Sequence, residues 1–172
     1  MENRIIQMVA GISLNGKIAD SSGTFKPYSS AEDQQFLHQK IQESDALLMG
    51  RTTFEQYQSV ITKPAIVMTR KISGLRLGEG HIHYFHDSAE ELFNLLDLLQ
   101  YRVITVLGGA SVYHWCLVQG IVTDVFLTVE PVLINQGKPL LEGGLLQHHK
   151  PWHLQSVLEL NSQGSTLLHY QP

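Results

Sequence analysis

The chain has 172 residues, a formal net charge of −4 at pH 7 and a 43% share of hydrophobic residues. That length suits one domain over residues 1–172 with a full apolar core, and the mild charge without like-charge runs argues against a nucleic-acid or anionic-membrane surface, leaving a small molecule as the expected partner. No apolar run approaches membrane-spanning length, no basic and apolar leader precedes the first strand pattern, and Cys116 is the single cysteine, so a reducing, cytoplasmic setting is the expectation.

Ile5 to Ile12 reads as a strand, and Ser13-Leu14-Asn15-Gly16-Lys17-Ile18-Ala19-Asp20 follows with a turn at Asn-Gly. A polar loop runs to Tyr28. Ser29-Ser30-Ala31-Glu32-Asp33 holds two overlapping capping boxes, Ser29 with Glu32 and Ser30 with Asp33. They open a helix with an apolar stripe of Phe36, Leu37 and Ile41 that ends near Ser44. Ala46 to Met49 is a short buried strand, and Gly50-Arg51-Thr52-Thr53-Phe54 turns from it into a second helix. Ala65 to Thr69 is a further strand whose end, Thr69-Arg70-Lys71, offers a hydroxyl and two cations suited to a phosphate.

His81 to Phe85 is a fourth strand, and Ser88 caps a helix through Leu99 with Leu92, Phe93, Leu95, Leu96 and Leu99 inside. Val103 to Leu107 is apolar or β-branched throughout, as in a strand buried on both faces of a parallel sheet. It stops at Gly108-Gly109 and resumes as a helix through Val118. Paired glycines strip side chains from the turn, so backbone N–H groups and a helix start can approach an anion closely. Gly-Gly alone leaves a tight structural turn equally open. The second strand–glycine–helix junction at Gly50 favours the anion site, because two such junctions line one edge of a parallel sheet.

Thr123 to Val129 is a strand ended by Glu130-Pro131, and a glycine-bearing loop runs from Asn135 to Pro139. Trp152 to Leu160 and Ser165 to Tyr170 flank a turn and read as an antiparallel hairpin on the sheet edge. His81 with His83, and His148-His149 with His153, form two histidine clusters; no carboxylate or cysteine completes either, so no metal is expected. Cys116 reads as a small buried hydrophobe.

The series Ser13 to Ala19, Met49 to Phe54, Val106 to Tyr113 and Thr123 to Pro131 resembles the dihydrofolate reductase-like superfamily. Within it, the chain is most similar to the C-terminal reductase domain of the bifunctional riboflavin-biosynthesis deaminase–reductase and its stand-alone relatives. The resemblance implies an α/β three-layer fold: a mostly parallel central sheet, an antiparallel C-terminal hairpin and helices on both faces. It also implies a cis peptide between Gly108 and Gly109, and NADPH as hydride donor. Gly108, Gly109, Ala110, Ser111, Val112 and Tyr113 match the pyrophosphate turn, and Gly50, Arg51, Thr52 and Thr53 match a second phosphate-binding helix start. Thr69 and Arg70 fall where the adenosine 2′-phosphate is met, and Ala10 and Ile18 flank the nicotinamide.

On the substrate side, the resemblance places Glu32 or Asp33 at the first-helix carboxylate that binds the heterocycle, and both are candidates for supplying a proton. Asn15, Lys17, Asp20, Thr128 and Glu130 are further substrate-facing candidates. Acids in a first helical turn also serve the cap and macrodipole, which explains Glu32 and Asp33 without a substrate. Leu107 stands where riboflavin-pathway reductases carry glutamate. The implied activity is NADPH-dependent reduction of a small heterocycle or ribosylamino-pyrimidine, like that of 5-amino-6-(5-phosphoribosylamino)uracil reductase. The alternatives are a non-catalytic NADP-binding module on the same scaffold, or a dimeric structural role through the apolar hairpin; a homodimer is expected in any case.

Overall fold

The computed structural model describes residues 4–86, 88–143 and 151–172. In chain order it comprises β1 (Ile5–Ser13), β2 (Lys17–Asp20), a 3-10 turn (Lys26–Tyr28), α1 (Ala31–Glu43), β3 (Ala46–Gly50), α2 (Arg51–Tyr57), β4 (Ala65–Met68) and β5 (Arg76–Leu77). There follow β6 (Ile82–Phe85), α3 (Ala89–Leu98), β7 (Val103–Gly108), α4 (Ala110–Val118), β8 (Asp124–Glu130), β9 (Gly137–Pro139), β10 (His153–Glu159) and β11 (Thr166–Gln171).

The main sheet has the order β10-β11-β8-β1-β7-β3-β4-β6-β5. The six strands from β8 to β6 run parallel, while β11, β10 and β5 are antiparallel to their neighbours. The parallel strands lack alternation because both faces are covered. In β3, Ala46 and Leu48 pack with Leu92, Leu95 and Leu96 of α3 and Val112 and Cys116 of α4. Leu47 and Met49 point the other way, to Phe54 of α2 and Ile41 of α1. All four β3 side chains are at most 1% exposed. Removing this much apolar surface from water on both sides drives the three-layer arrangement.

The helix starts follow their caps. Ser30 accepts a hydrogen bond from the Asp33 N–H, and Ser88 from that of Glu91. The capping boxes are only half made: Ser29 is not a cap, and the Ser30 N–H donates to Glu130 rather than to Asp33. The expected α1 stripe also differs, since Phe36, Leu37 and Ile41 are half-buried and the one fully buried residue of the helix is Asp33. A polar network explains this. Under the C-terminal half of α1, Gln7 donates to Thr105 (2.8 Å), and the Ser44 hydroxyl meets Thr105 and the Lys40 carbonyl.

Residues 137–139, expected as loop, form β9 and pair with β2 in a separate two-stranded ribbon. The exposed edge strand β5 is too short to carry a periodic pattern. The Gly108–Gly109 peptide is cis, as the resemblance implies. Among the described residues no group of three or more His, Cys, Asp or Glu is placed to hold a metal ion; His148 and His149 lie outside the described residues. Among the described residues no helix is long and apolar enough to cross a membrane.

Candidate active site

The carboxyl ends of β1, β7, β3 and β4 lie side by side, and the sequence-derived cofactor candidates sit on them in that order. Ala10 is on β1, Gly108 and Gly109 end β7, Gly50 ends β3, and Thr69 and Arg70 follow β4. The two glycine junctions touch. A Cβ built on Gly50 would lie 3.1 Å from Val112 Cγ2 of α4 and 3.9 and 4.0 Å from the Gly108 carbonyl and Gly109 nitrogen. A Cβ on Gly109 would meet only Thr53 Oγ1, at 3.7 Å. Gly50 and Gly109 are the N-caps of α2 and α4, and no side chain caps either helix. Two helix starts whose first-turn N–H groups have no side-chain cap therefore adjoin, a positive pole suited to a pyrophosphate.

The two glycines of β7 have different tasks. Gly108 has φ +81°, and a Cβ there would lie 2.6 to 3.1 Å from the Tyr113 ring and hydroxyl. Tyr113 is thereby pressed onto the turn; its hydroxyl donates to the Val9 carbonyl at 2.7 Å, and complete burial raises its pKa. Tyr113 is thus a strut behind the turn, tying α4 to β1. Gly109 follows the cis peptide with a negative φ, and a Cβ there would touch only Thr53 Oγ1, so its backbone can be approached closely by a ligand.

The first-helix acids separate cleanly. Glu32 is exposed, and its carboxylate accepts from Asn161 Nδ2 at 3.1 Å, which lowers its pKa. Asp33 is 6% exposed and turns onto β1, where its Oδ2 would be 3.1 Å from a Cβ on Gly11; the Phe25 ring closes over the same point. Ser29 Oγ donates to Asp33 Oδ2 at 2.5 Å. Burial raises the Asp33 pKa by stripping water from the charged form; hydrogen bonds from Ser29 and Thr128 act against this, and the negative charge of Glu130 adds to it. A carboxyl so placed can hold a proton or donate one.

Thr128 and Glu130 are each 2% exposed and lie opposite Gly11 and Ser13 of β1 in the sheet register. Glu130, a substrate-facing candidate in the sequence, is buried and held within the scaffold: Oε1 accepts from the Ser30 N–H (2.7 Å) and hydroxyl (2.8 Å), and Oε2 from Ser165 Oγ (2.5 Å).

Other candidates are engaged in the scaffold. Asn15 clamps the backbone of Ile134 with both amide atoms, and Asp20 gathers Ser22, Thr24 and Tyr28 into a turn. The hydrogen bond from Ser22 leads in lowering the Asp20 pKa. Lys17 and Ile18, in β2, are half-buried. Arg51 pairs with Glu55 one turn along α2, Thr69 Oγ1 accepts the Lys71 N–H, and Arg70 is exposed. Leu107 packs against the cluster of Leu47, Met49 and Phe54. Gly11 and Phe25 belong to the acid site and were not anticipated. The signal for Gly11 was a glycine inside a strand, which marks a close approach.

Comparisons with known proteins now bear on this geometry. Residues 4–71 match the family model of the RibD C-terminal domain. A search of curated proteins finds no match. Among solved structures, a putative riboflavin biosynthesis protein from Shewanella sp. PV-4 superposes with a TM-score of 0.78 at 19% identity, covering 97% of this chain and 98% of that one. The deaminase/5-amino-6-(5-phosphoribosylamino)uracil reductase of Thermotoga maritima gives 0.76 at 16% identity over 99% of this chain, which spans 57% of that protein. Dihydrofolate reductase from Enterococcus faecalis, complexed with NADP(H), gives 0.68 at 19% identity, covering 97% of this chain and 95% of that one. The chain therefore has the fold of the dihydrofolate reductase-like superfamily, and over residues 4–71 its sequence matches the RibD C-terminal domain.

Proposed function

We propose that residues 1–172 act as one reductase domain that binds NADPH across the ends of β1, β7, β3 and β4 and reduces a small heterocycle or ribosylamino-pyrimidine of the riboflavin or pterin type. The observation that carries this reading is the pair of uncapped helix starts at Gly50 and Gly109, adjoining one another with open space at Gly109. First-turn N–H groups of α2 and α4 would hold the pyrophosphate, drawing on Ala110, Ser111, Thr52 and Thr53. Thr69 and Arg70, two strands along, would meet the 2′-phosphate, which needs a cation or strong donors to be preferred over a free hydroxyl. Ala10 and Ile18 would flank the nicotinamide. Bound there, NADPH supplies hydride.

The protein's part is orientation, exclusion of water and a proton. Asp33 is the substrate-facing acid, and Phe25 shields it from solvent. Glu32 is assigned no chemistry. The exposed apolar residues Leu154, Val157 and Leu158 of edge strand β10 support a homodimer built through the hairpin.

Thermal-shift measurements with NADPH, NADP and NADH test the cofactor. A larger shift with NADPH than with NADH is expected, and no shift with any of the three rejects the reading. NADPH consumption with pterins, flavins and the phosphoribosylamino-uracil substrate then separates a reductase from a binding module.

A further inference from the structure

Asp33 and Glu130 are two buried carboxyl residues joined through Ser30, whose hydroxyl donates to Glu130 and accepts the Asp33 N–H, and none of the ion pairs among the described residues involves either. Glu130 is held by three donors from two distant parts of the chain, the N–H and hydroxyl of Ser30 at the start of α1 and the hydroxyl of Ser165 in the β10–β11 hairpin. The hairpin tip is docked further by Asn161, whose Nδ2 reaches both Ser165 Oγ and Glu32 Oε2. Ser30 also caps α1 through the Asp33 N–H. One side chain thus joins the end of β8, the hairpin and the helix turn that carries Asp33.

We propose that Glu130 is a positioning residue: it locks the hairpin tip to the first turn of α1 and so shapes the buried site in which Asp33 meets its ligand. Three donors reach the Glu130 carboxyl, and the hydroxyls of Ser29 and Thr128 reach that of Asp33. When two carboxyl groups share a site, a negative charge on one disfavours ionisation of the other. The groups that face Asp33 are Glu130 and Thr128 from β8, Tyr113 from α4 and Ser29 before α1; Glu32, on its own helix, points to solvent. Burial raises the Tyr113 pKa, so Glu130 is the one carboxyl on that list. A neutral Asp33 donates a hydrogen bond, which selects a ligand with a carbonyl oxygen or an imine-type nitrogen at that point over one presenting only N–H groups.

The ligand-facing role of Asp33 rests on the proposed function, but the coupling to Glu130 is measured without any ligand. Carboxyl titrations of the full chain are followed by carbon NMR, with Asp33→Asn assigning the Asp33 signal. In the wild type, Asp33 is expected to titrate above Asp20 and Asp124, and in Glu130→Gln its titration moves to lower pH. An unmoved titration in folded Glu130→Gln overturns the proposal. If that variant does not fold, Glu130→Met, which keeps the volume and drops the charge, is read the same way. A wild-type Asp33 that titrates at or below Asp20 overturns the proposal with no variant at all. NADPH thermal shifts on the same samples report separately: their absence removes the reductase reading and leaves the coupling intact.

Discussion

Gly108 and Gly109 are neighbours with opposite consequences. At Gly108 a side chain meets both a left-handed backbone and the Tyr113 ring at 2.6 Å, so Gly108→Ala is expected to cost about 2 to 4 kcal/mol and lower the melting temperature. At Gly109 a Cβ would meet only Thr53 Oγ1, at 3.7 Å, so that position probes binding more than packing. Asp33 couples stability to pH in an equally testable way. Its folded pKa is raised, so the folded state binds more protons than the unfolded state between the ordinary aspartate value and the raised one. Stability due to Asp33 therefore falls as pH rises through that window, and the cost of the buried charge is fully present above it. Asp33→Asn is expected to raise the melting temperature at about pH 8, to do so less at about pH 4, and to lower turnover by about a hundredfold or more. A variant that loses stability equally at both pH values contradicts this. The choice of Asp33 over Glu32 was legible in spacing: Asp33, Phe36, Leu37, Ile41 and Ser44 share a helix face, and Glu32 lies off it. Glu130 shares the strand face of Phe126 and Thr128, but Pro131 beside it suggests a solvated turn, and no local pattern reveals hydroxyl partners as remote as Ser30 and Ser165.

At the scale of elements, α1 is held less by apolar burial than by its ends and its polar underside. Phe36 packs at a tilt against Phe126 of β8, Lys40 lies over the Phe126 ring at 4.5 Å, and His169 of β11 stacks on it at 4.2 Å. The Ser30 cap matters more than usual because it also supplies two of the three donors to Glu130. Ser30→Ala, measured by chemical denaturation, is expected to cost about 2 kcal/mol, at the upper end for an N-cap; a loss of a few tenths would show that the Glu130 tether adds nothing. Strand–glycine–helix junctions, the capped helices and the terminal hairpin were readable because each is coded locally. The β2–β9 ribbon was not, since its partners are remote in sequence and Pro139 ends it after three residues. Its one clue was Gly137, where a Cβ would sit 2.0 Å from the Ala19 carbonyl.

At the scale of the whole molecule, function follows from strand order. Parallel connections carry the chain outward from β1, so turns far apart in sequence become consecutive steps along one sheet edge, and the opposite edge ends in the exposed strand β10. Leu158→Arg is expected to convert a dimer to a monomer in sedimentation velocity while leaving the fold intact; a wild-type chain that sediments as a monomer removes the dimer proposal. On the proposed reading, the adjoining helix starts at Gly50 and Gly109 hold the pyrophosphate of NADPH. Titration calorimetry of NADPH into the wild type and Gly109→Val tests it most directly. Saturable binding to the wild type is expected, with a loss of at least about tenfold in affinity for folded Gly109→Val. Undiminished binding by the folded variant would contradict it.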